Sequence, residues 1–147
     1  MHIIHSRTLG PDARQIREDV FVREQGFQNE FDEIDEIAYH FTLYEDNTPI
    51  AVCRLYRGDT PGEFIVGRIA IRREFRGRHL GQALLTDAEQ FALSQGGRKL
   101  SLSAQVRVRP FYETCGYRTT GEPYLDEFCP HIHMEKQLNG SLRSGCL

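Results

Sequence analysis

The stretch "EFRGRHLGQALL", residues 74–85, decides the fold class, because a turn rich in glycine and arginine joins two apolar segments here. The segment before it, "EFIVGRIAI" at residues 63–71, is apolar enough for a strand buried on both faces. The segment after it, from about His79 to Gln95, has four apolar residues on one helical face: Leu80, Leu84, Ala88 and Phe91. This order predicts a strand, a glycine-bearing turn and a helix in direct succession.

Such a turn is suited to holding a phosphate group. The first turn of a helix has free backbone N–H groups and a partial positive charge, and glycine lets an anion approach them closely. Arginine side chains add charge-assisted hydrogen bonds. The turn therefore predicts a phosphate-bearing ligand, with a plain strand-to-helix connection as the alternative. No Walker sequence and no residue set for Mg²⁺ follows, so nucleotide hydrolysis is not expected.

Hydrophobic periodicity predicts the remaining elements. Strands are expected at residues 2–6, 37–46, 50–57, 99–104 and 130–138, and helices at residues 11–25 and 108–117. Asp12 and Gln15 have the spacing of a capping box at the first helix. Antiparallel hairpins come first, and then strand, helix, strand, helix and strand, which predicts a mixed α/β protein with one central sheet. Residues 1–138 are expected to form one domain, and the small polar tail 139–147 to be disordered.

Composition excludes several classes of protein. The chain has 147 residues, 39% hydrophobic and 27% charged, which is an ordinary balance for a single globular domain. A net charge of -3 argues against a nucleic-acid partner, and no apolar run approaches a membrane span. The start, "MHIIHSRTLG", lacks the pattern of a secretion signal, and the four cysteines form no CxxC pair. We therefore expect a cytoplasmic protein.

Charge is distributed unevenly along the chain. Residues 68–78 contain five arginines and one glutamate, whereas residues 24–36 contain six acidic residues and no lysine or arginine. Two segments of opposite charge predict two ligand-binding regions, with two solvated surfaces as the alternative.

The turn and several other stretches of the chain resemble one protein family. Arg76 to Gly81, "RGRHLG", resembles motif A of the GCN5-related N-acetyltransferases (GNAT), and it departs from that motif at His79, where the family has its first glycine. Residues 102–117, "LSAQVRVRPFYETCGY", resemble motif B of the same family, with Gln105 where asparagine is common. The stretches "VFVREQ", "FDEID" and "PHIHM" are similar to one bacterial branch, the ElaA/YjcF-like acyltransferases.

The resemblance implies a GNAT fold, with a central, mostly antiparallel sheet flanked by helices. Its parallel strands, here residues 64–71 and 99–104, would splay apart and hold acyl-CoA, for which acetyl-CoA is the expected co-substrate and no metal is needed. The backbone of one strand would pair with the pantetheine arm. The implied cofactor-binding residues are Ile69, Ala70, Ile71, Arg76, Gly77, Arg78, His79, Leu80, Gly81, Gln82, Gln105 and Phe111.

The resemblance also implies a reaction, in which a primary amine attacks the thioester directly in a ternary complex. Tyr112 lies where the family has the tyrosine that protonates the leaving thiolate. A phenol of ordinary pKa ~10 and a thiol of ~8.5 are close enough for that transfer. A core aromatic residue on a short helix is the alternative role for Tyr112.

The general base is left open by the sequence. Candidates are a water chain or one of Glu24, Glu33, Asp35, His40, Glu63, Asp126 and His131. His131 and His133 are two residues apart on a predicted strand, and a shared metal ion is not expected. Cys115 is interpreted as a packing residue behind Tyr112 rather than as a nucleophile.

The acceptor is predicted only as a class. In the family, the segment after the first helix borders the acceptor site, so the acidic segment 24–36 favours a cationic small-molecule amine or a lysine, with a solubilising loop as the alternative. A non-catalytic acyl-CoA sensor and an acyltransferase acting on oxygen, or making a signal molecule, are the competing functions. Dimers are common among such acyltransferases, so a homodimer is the oligomer to test for.

Overall fold

The computed structural model describes residues 1–138 and contains a mixed α/β fold built on seven strands. The strands are β1 (His2–Ser6), β2 (Tyr39–Glu45), β3 (Thr48–Arg57), β4 (Glu63–Ile71), β5 (Lys99–Gln105), β6 (Arg118–Asp126) and β7 (Cys129–Gln137). The helices are α1 (Pro11–Arg17), α2 (Leu80–Ser94) and α3 (Arg109–Thr114). A π-helix covers Glu18–Glu24, and short 3₁₀ helices cover Glu33–Glu36, Arg73–Phe75 and Val106–Val108.

The strands form one sheet in the order β1-β2-β3-β4-β5-β7-β6. Strands β4 and β5 are parallel, and Glu63–Ile65 pairs with Lys99–Ser101 at the start of both strands. The pairs β1–β2, β2–β3, β5–β7 and β6–β7 are antiparallel. The predicted fold class, a mostly antiparallel sheet with one parallel pair, is confirmed.

Strand β6 is an addition to the elements expected from the sequence. Residues 118–126 have no apolar alternation, are exposed at almost every position, and include Gly121 and Pro123. The strand forms because β7 pairs with it on both sides of an irregularity between Thr120 and Tyr124. Its signal therefore lies in the partner strand rather than in its own residues.

The predicted capping box at the first helix is wrong. The N-cap of α1 is Gly10, which makes no side-chain cap, and Pro11 follows it. Proline has no N–H and a fixed φ, which favours the first helical position and starts the helix earlier than the Asp12–Gln15 spacing implied. Asp12 instead accepts a hydrogen bond of 2.7 Å from the Tyr44 hydroxyl. A capping box does form at the 3₁₀ helix Glu33–Glu36, between Asp32 and Asp35.

The described chain divides into two compact units. The first contains residues 1–56 and 66–88, and its fully buried side chains include Ile16, Phe41, Leu43 and Leu84. The second contains residues 57–65 and 89–138, with Phe64, Leu100 and Met134 fully buried. Within residues 1–138, no helix is long and apolar enough to cross a bilayer. The tail 139–147, predicted to be disordered, lies outside the described residues, and a single domain over residues 1–138 stays a prediction.

Candidate functional site

The turn between β4 and α2 has the backbone of an anion-binding loop. Gly77 and His79 both adopt left-handed backbone, with φ of 81° and 61°, and α2 begins at the next residue, Leu80. A Cβ at Gly77 would meet nothing within 4 Å, so the space beside this residue is open. The N–H groups of the first turn of α2 follow directly, and such groups bind anions.

His79 takes the position where the family motif has a glycine. The left-handed φ of His79 explains why the family motif has a glycine at this position, because a Cβ is sterically unfavourable in this conformation. Histidine is among the non-glycine residues that adopt this conformation more often than others. The side chain is exposed, so the departure from the motif changes the surface of the turn and preserves its backbone geometry.

The arginines of the turn are largely engaged by carboxylates. Arg76 donates through Nε to the Ile71 carbonyl at 3.0 Å and through both terminal nitrogens to Glu24, at 2.6 and 2.9 Å. These hydrogen bonds lower the pKa of Glu24. Arg78 pairs with Glu45 at 2.5 Å. The structure therefore directs the Arg76 side chain toward the protein, and the backbone N–H groups are left as the main donors for an anion.

The three residues expected to pair with a pantetheine arm end strand β4. Ala70 is buried, while Ile69 and Ile71 are half-buried. They follow Arg68, which interrupts the extended backbone with a φ of 54°. The Arg68 guanidinium donates to the Glu30 carbonyl at 2.8 Å and lies 3.0 Å from the Glu30 carboxylate. These contacts hold a strained bend in mid-strand, next to the proposed pairing edge.

The acidic segment is neutralised from within. Arg17, which is 1% exposed, binds Glu30 and Asp35, each at 2.8 Å. Arg54 binds Asp32 at 2.7 Å and Asp35 at 2.8 Å. Burial by itself would raise the pKa of Asp35, but hydrogen bonds from Arg17 and Arg54 hold it well below the usual range. The network fixes the segment in place and leaves little net field from these three carboxylates.

Helix α3 presents the proposed catalytic tyrosine. Pro110 lies in the first turn of the helix, and Phe111 and Tyr112 follow with ring centroids 5.0 Å apart at 70°. Tyr112 is half-buried and also packs edge-on against Tyr117 at 6.2 Å. The predicted pair Phe111–Tyr112 thus forms one aromatic surface on a short helix.

A buried polar cluster anchors the end of this helix, and the sequence did not predict it. The Tyr117 hydroxyl donates to Glu89 at 2.8 Å. The Lys136 ammonium donates to Glu89 at 3.2 Å and to the Cys115 carbonyl at 2.9 Å. Burial and the Glu89 carboxylate raise the pKa of Tyr117. The signal available in the sequence was a single glutamate on the apolar face of α2, between Leu85 and Ala92.

Gln105 and His131 lie opposite each other on neighbouring strands. Gln105 ends β5 and is in register with His131 on β7. His131 is 7% exposed, and its Nδ1 lies 2.9 Å from the Cys129 carbonyl. Because a carbonyl only accepts, Nδ1 is the protonated nitrogen and the lone pair of the neutral ring is on Nε2.

Most other candidate bases are held in structural contacts. Glu24 is bound to Arg76, and Asp35 to two arginines. His40 is buried with Nε2 2.8 Å from the Asp35 carbonyl, and burial lowers its pKa. Glu63 accepts from Ser101 at 2.8 Å. Glu33 and Asp126 are exposed.

Cysteine and metal chemistry have little support among the described residues. Cys53, Cys115 and Cys129 are free thiols, and burial raises the pKa of each. Within residues 1–138, no group of three or more His, Cys, Asp or Glu side chains is arranged to hold a metal ion.

The comparisons with known proteins agree with these features. The family model of the acetyltransferase (GNAT) domain matches residues 11–138. The chain is 32% identical to the uncharacterised N-acetyltransferase YjcF of Bacillus subtilis, over 85% of this chain and 90% of that protein. An acyl-CoA N-acyltransferase from Pseudomonas aeruginosa is similar in structure, with a TM-score of 0.80 and 27% identity over 92% of this chain and 99% of that one.

The ElaA-like branch is also represented. Escherichia coli ElaA is 26% identical over 84% of each protein, and its crystal structure shares the fold with a TM-score of 0.79, covering 92% of this chain and 97% of that one. The family model and the fold together support acyl transfer as the chemistry. The resemblance inferred from motifs A and B is confirmed, and the chain belongs to the GNAT acetyltransferase family, beside the YjcF and ElaA proteins.

Proposed function

We propose that this protein transfers an acetyl group from acetyl-CoA to a primary amine, by direct attack in a ternary complex. The observation that carries the proposal is the turn 76–82, where left-handed Gly77 and His79 lead directly into the first turn of α2. That backbone suits the pyrophosphate of a CoA thioester. The backbone of Ile69, Ala70 and Ile71 would pair with the pantetheine arm, and Gln105 and Phe111 would border it.

The chemistry assigns one role to each of two side chains. The amine nitrogen attacks the thioester carbonyl carbon, the C–S bond breaks, and the sulfur leaves as a thiolate. Tyr112 gives its phenolic proton to that sulfur. His131 accepts a proton from the amine through its Nε2 atom. The hydrogen bond from His131 Nδ1 to the Cys129 carbonyl favours the tautomer in which Nε2 has the lone pair.

The acceptor is proposed as an amine without a restriction on its overall charge. Four of the six carboxylates in the acidic segment, those of Glu24, Glu30, Asp32 and Asp35, are paired with arginines. This pairing gives a cationic acceptor less support than the sequence did. A small-molecule amine and a lysine side chain both fit the proposal. We also place the reaction in the cytoplasm and keep the homodimer as a prediction for light scattering on the purified protein.

A continuous assay of CoA thiol release, with acetyl-CoA and a panel of amines, tests the proposal. Turnover that requires both substrates is expected. Tyr112→Phe should lower kcat by about 100-fold and leave acetyl-CoA affinity unchanged, since loss of a general acid costs rate. Tyr44→Phe on β2 is the matched control, because it also removes one hydroxyl. Acetyl-CoA binding without turnover on any amine would favour a sensor instead.

The same assay tests the base. His131→Gln should lower kcat/KM and leave acetyl-CoA affinity unchanged, because glutamine cannot accept the proton of the amine. His133→Gln is its control, since His133 is another histidine of β7, two residues away, which is half-buried and hydrogen-bonds Thr120. An unchanged kcat/KM in His131→Gln would exclude His131 as the base.

A further inference from the structure

A groove in the first compact unit carries charged side chains that the proposed reaction does not use. It has a volume of about 580 Å³ and is lined by residues 7–9, by Arg14 and by the segment from Phe31 to Glu36. We call it the N-terminal groove. Its volume lies in the range of sites for small ligands, roughly 300 to 1,000 Å³.

The charges of the N-terminal groove divide into a fixed set and an available set. Asp32 and Asp35 are neutralised by the buried guanidiniums of Arg17 and Arg54. The available charges are two guanidiniums and two carboxylates, from Arg7, Arg14, Glu33 and Glu36. The four available charges therefore sum to zero, and the aspartates beside them are already paired with arginines.

Both guanidiniums are oriented by aromatic rings. The Arg7 guanidinium lies 4.1 Å from the centre of the Tyr39 ring and donates once, to the Ile37 carbonyl at 3.1 Å. The Arg14 guanidinium lies 4.5 Å from the centre of the Phe31 ring. A guanidinium attracted to an aromatic ring still has N–H donors to offer, and a guanidinium binds a carboxylate through two of them.

Both carboxylates are carried by a rigid turn. Glu33 and Glu36 are exposed, and within residues 1–138 neither side-chain carboxylate makes a hydrogen bond or an ion pair. They belong to the 3₁₀ helix with the capping box, in which the Ile34 N–H donates to the Asp32 carboxylate at 3.1 Å and the Asp32 N–H donates to the Asp35 carboxylate at 3.2 Å. The turn is thus held in place, and its two outer carboxylates are available to an ammonium group.

We propose that the N-terminal groove binds a small zwitterion of the amino-acid or short-peptide class. Its carboxylate would lie on Arg7 and Arg14, its ammonium on Glu33 and Glu36, and its side chain against Leu9. A simple anion would pair with the two arginines but be repelled by the two glutamates. A simple cation would pair with the glutamates but be repelled by the arginines. Only a ligand with both charges satisfies the whole available set. The groove shares residues 31–36 with the acidic segment, but no residue assigned above to acyl-CoA binding or to proton transfer lines it, so the proposal does not depend on those assignments.

The test uses unaltered protein first. Backbone amide NMR spectra are recorded during titration with the dipeptide alanyl-leucine. The titration extends to about 10 mM, where even a site with a Kd of about 1 mM is mostly occupied. Saturable shifts are expected at residues 7–9 and 31–37. The N-acetylated and C-amidated dipeptides each lack one charge and should bind about tenfold more weakly or worse. No saturable shift at these residues, or equal binding of the capped forms, would overturn the proposal.

Two variants then assign the contacts. Arg14→Gln should weaken binding of the free dipeptide and leave that of the C-amidated form unchanged, because the lost partner is the carboxylate. Glu33→Gln should also weaken binding of the free dipeptide and should leave binding of the N-acetylated form unchanged, because the lost partner is the ammonium group. Glu74→Gln and Arg98→Gln are matched controls, since both side chains are exposed and outside the groove. If the groove variants weaken all forms equally, the charge assignment is wrong.

Discussion

At the scale of single residues, the two charged segments turn out to be partners. Arg68 and Arg76, from the basic segment, bind Glu30 and Glu24, from the acidic one. The sequence showed the segregation of charge but not the distances, because the segments are more than thirty residues apart in the chain. The sequence therefore predicted two ligand-binding regions. In the structure, ion pairs with arginines hold the acidic segment 24–36 against β3, β4 and the turn that follows β4.

The backbone of His79 gives a first prediction. A left-handed φ of 61° penalises every residue with a Cβ, so His79→Gly should be more stable than His79→Ala by about 1 kcal/mol. Urea denaturation of the three proteins measures this difference. Acetyl-CoA binding should persist in His79→Gly, which restores the family motif. An alanine variant as stable as the glycine variant would show that the turn is not left-handed at this residue.

The Asp35 carboxylate gives a second prediction. Asp35→Asn leaves the buried Arg17 and Arg54 without a shared partner, so the free energy of unfolding should fall by about 3 kcal/mol. Glu33→Gln is the control: it changes an exposed neighbour and should cost no more than about 0.5 kcal/mol.

The same variant should change the pH dependence of stability. The pKa of Asp35 is lower in the folded than in the unfolded state, so its contribution is complete above the unfolded value of about 4 and is lost as pH falls below it. Glu30 acts with the opposite sign, because burial raises its pKa. Asp35→Asn should therefore lose less stability than wild type between neutral pH and about pH 3, as measured by urea denaturation. Parallel pH curves for the two proteins would contradict the network.

At the scale of elements, the short helix α3 depends on a distant anchor. Six residues cannot form a stable helix alone, and α3 gains its stability from packing and from the Lys136 ammonium at the Cys115 carbonyl. Its residues, with Pro110 at the start and Gly116 after the end, predicted its position correctly. They could not predict Lys136, which comes from β7, at the far end of the described chain.

Removing this anchor gives a third prediction. Lys136→Met leaves Glu89 buried with Tyr117 as its remaining side-chain donor, and should lower the free energy of unfolding by about 3 kcal/mol. Lys99→Met is the matched control. Its ion pairs are longer, at 3.5 and 3.9 Å, and more exposed, so the loss should be about 1 kcal/mol or less. Equal losses in urea denaturation would show that the Glu89 cluster does not anchor α3.

At the scale of the whole molecule, the sequence predicted the fold class well and the site incompletely. The strand, turn and helix around residues 63–94 carry strong local signals, namely an apolar run, two glycines and an amphipathic period. Strand β6 has no such signal, since nearly every residue in it is exposed. The left-handed backbone of His79 and the tautomer of His131 depend on φ and on a carbonyl contact, which residue types alone do not specify.

The proposed function depends above all on the turn 76–82 holding the pyrophosphate of an acyl-CoA. Calorimetric titration of acetyl-CoA into wild type, Gly77→Glu and Gly96→Glu tests it. Both glycines have left-handed φ and open space at the Cβ position, so the two variants carry the same backbone strain. The expected result is saturable binding to wild type and to Gly96→Glu, and none to Gly77→Glu, whose carboxylate would repel the phosphates. No binding to wild type, or equal binding to both variants, would contradict it.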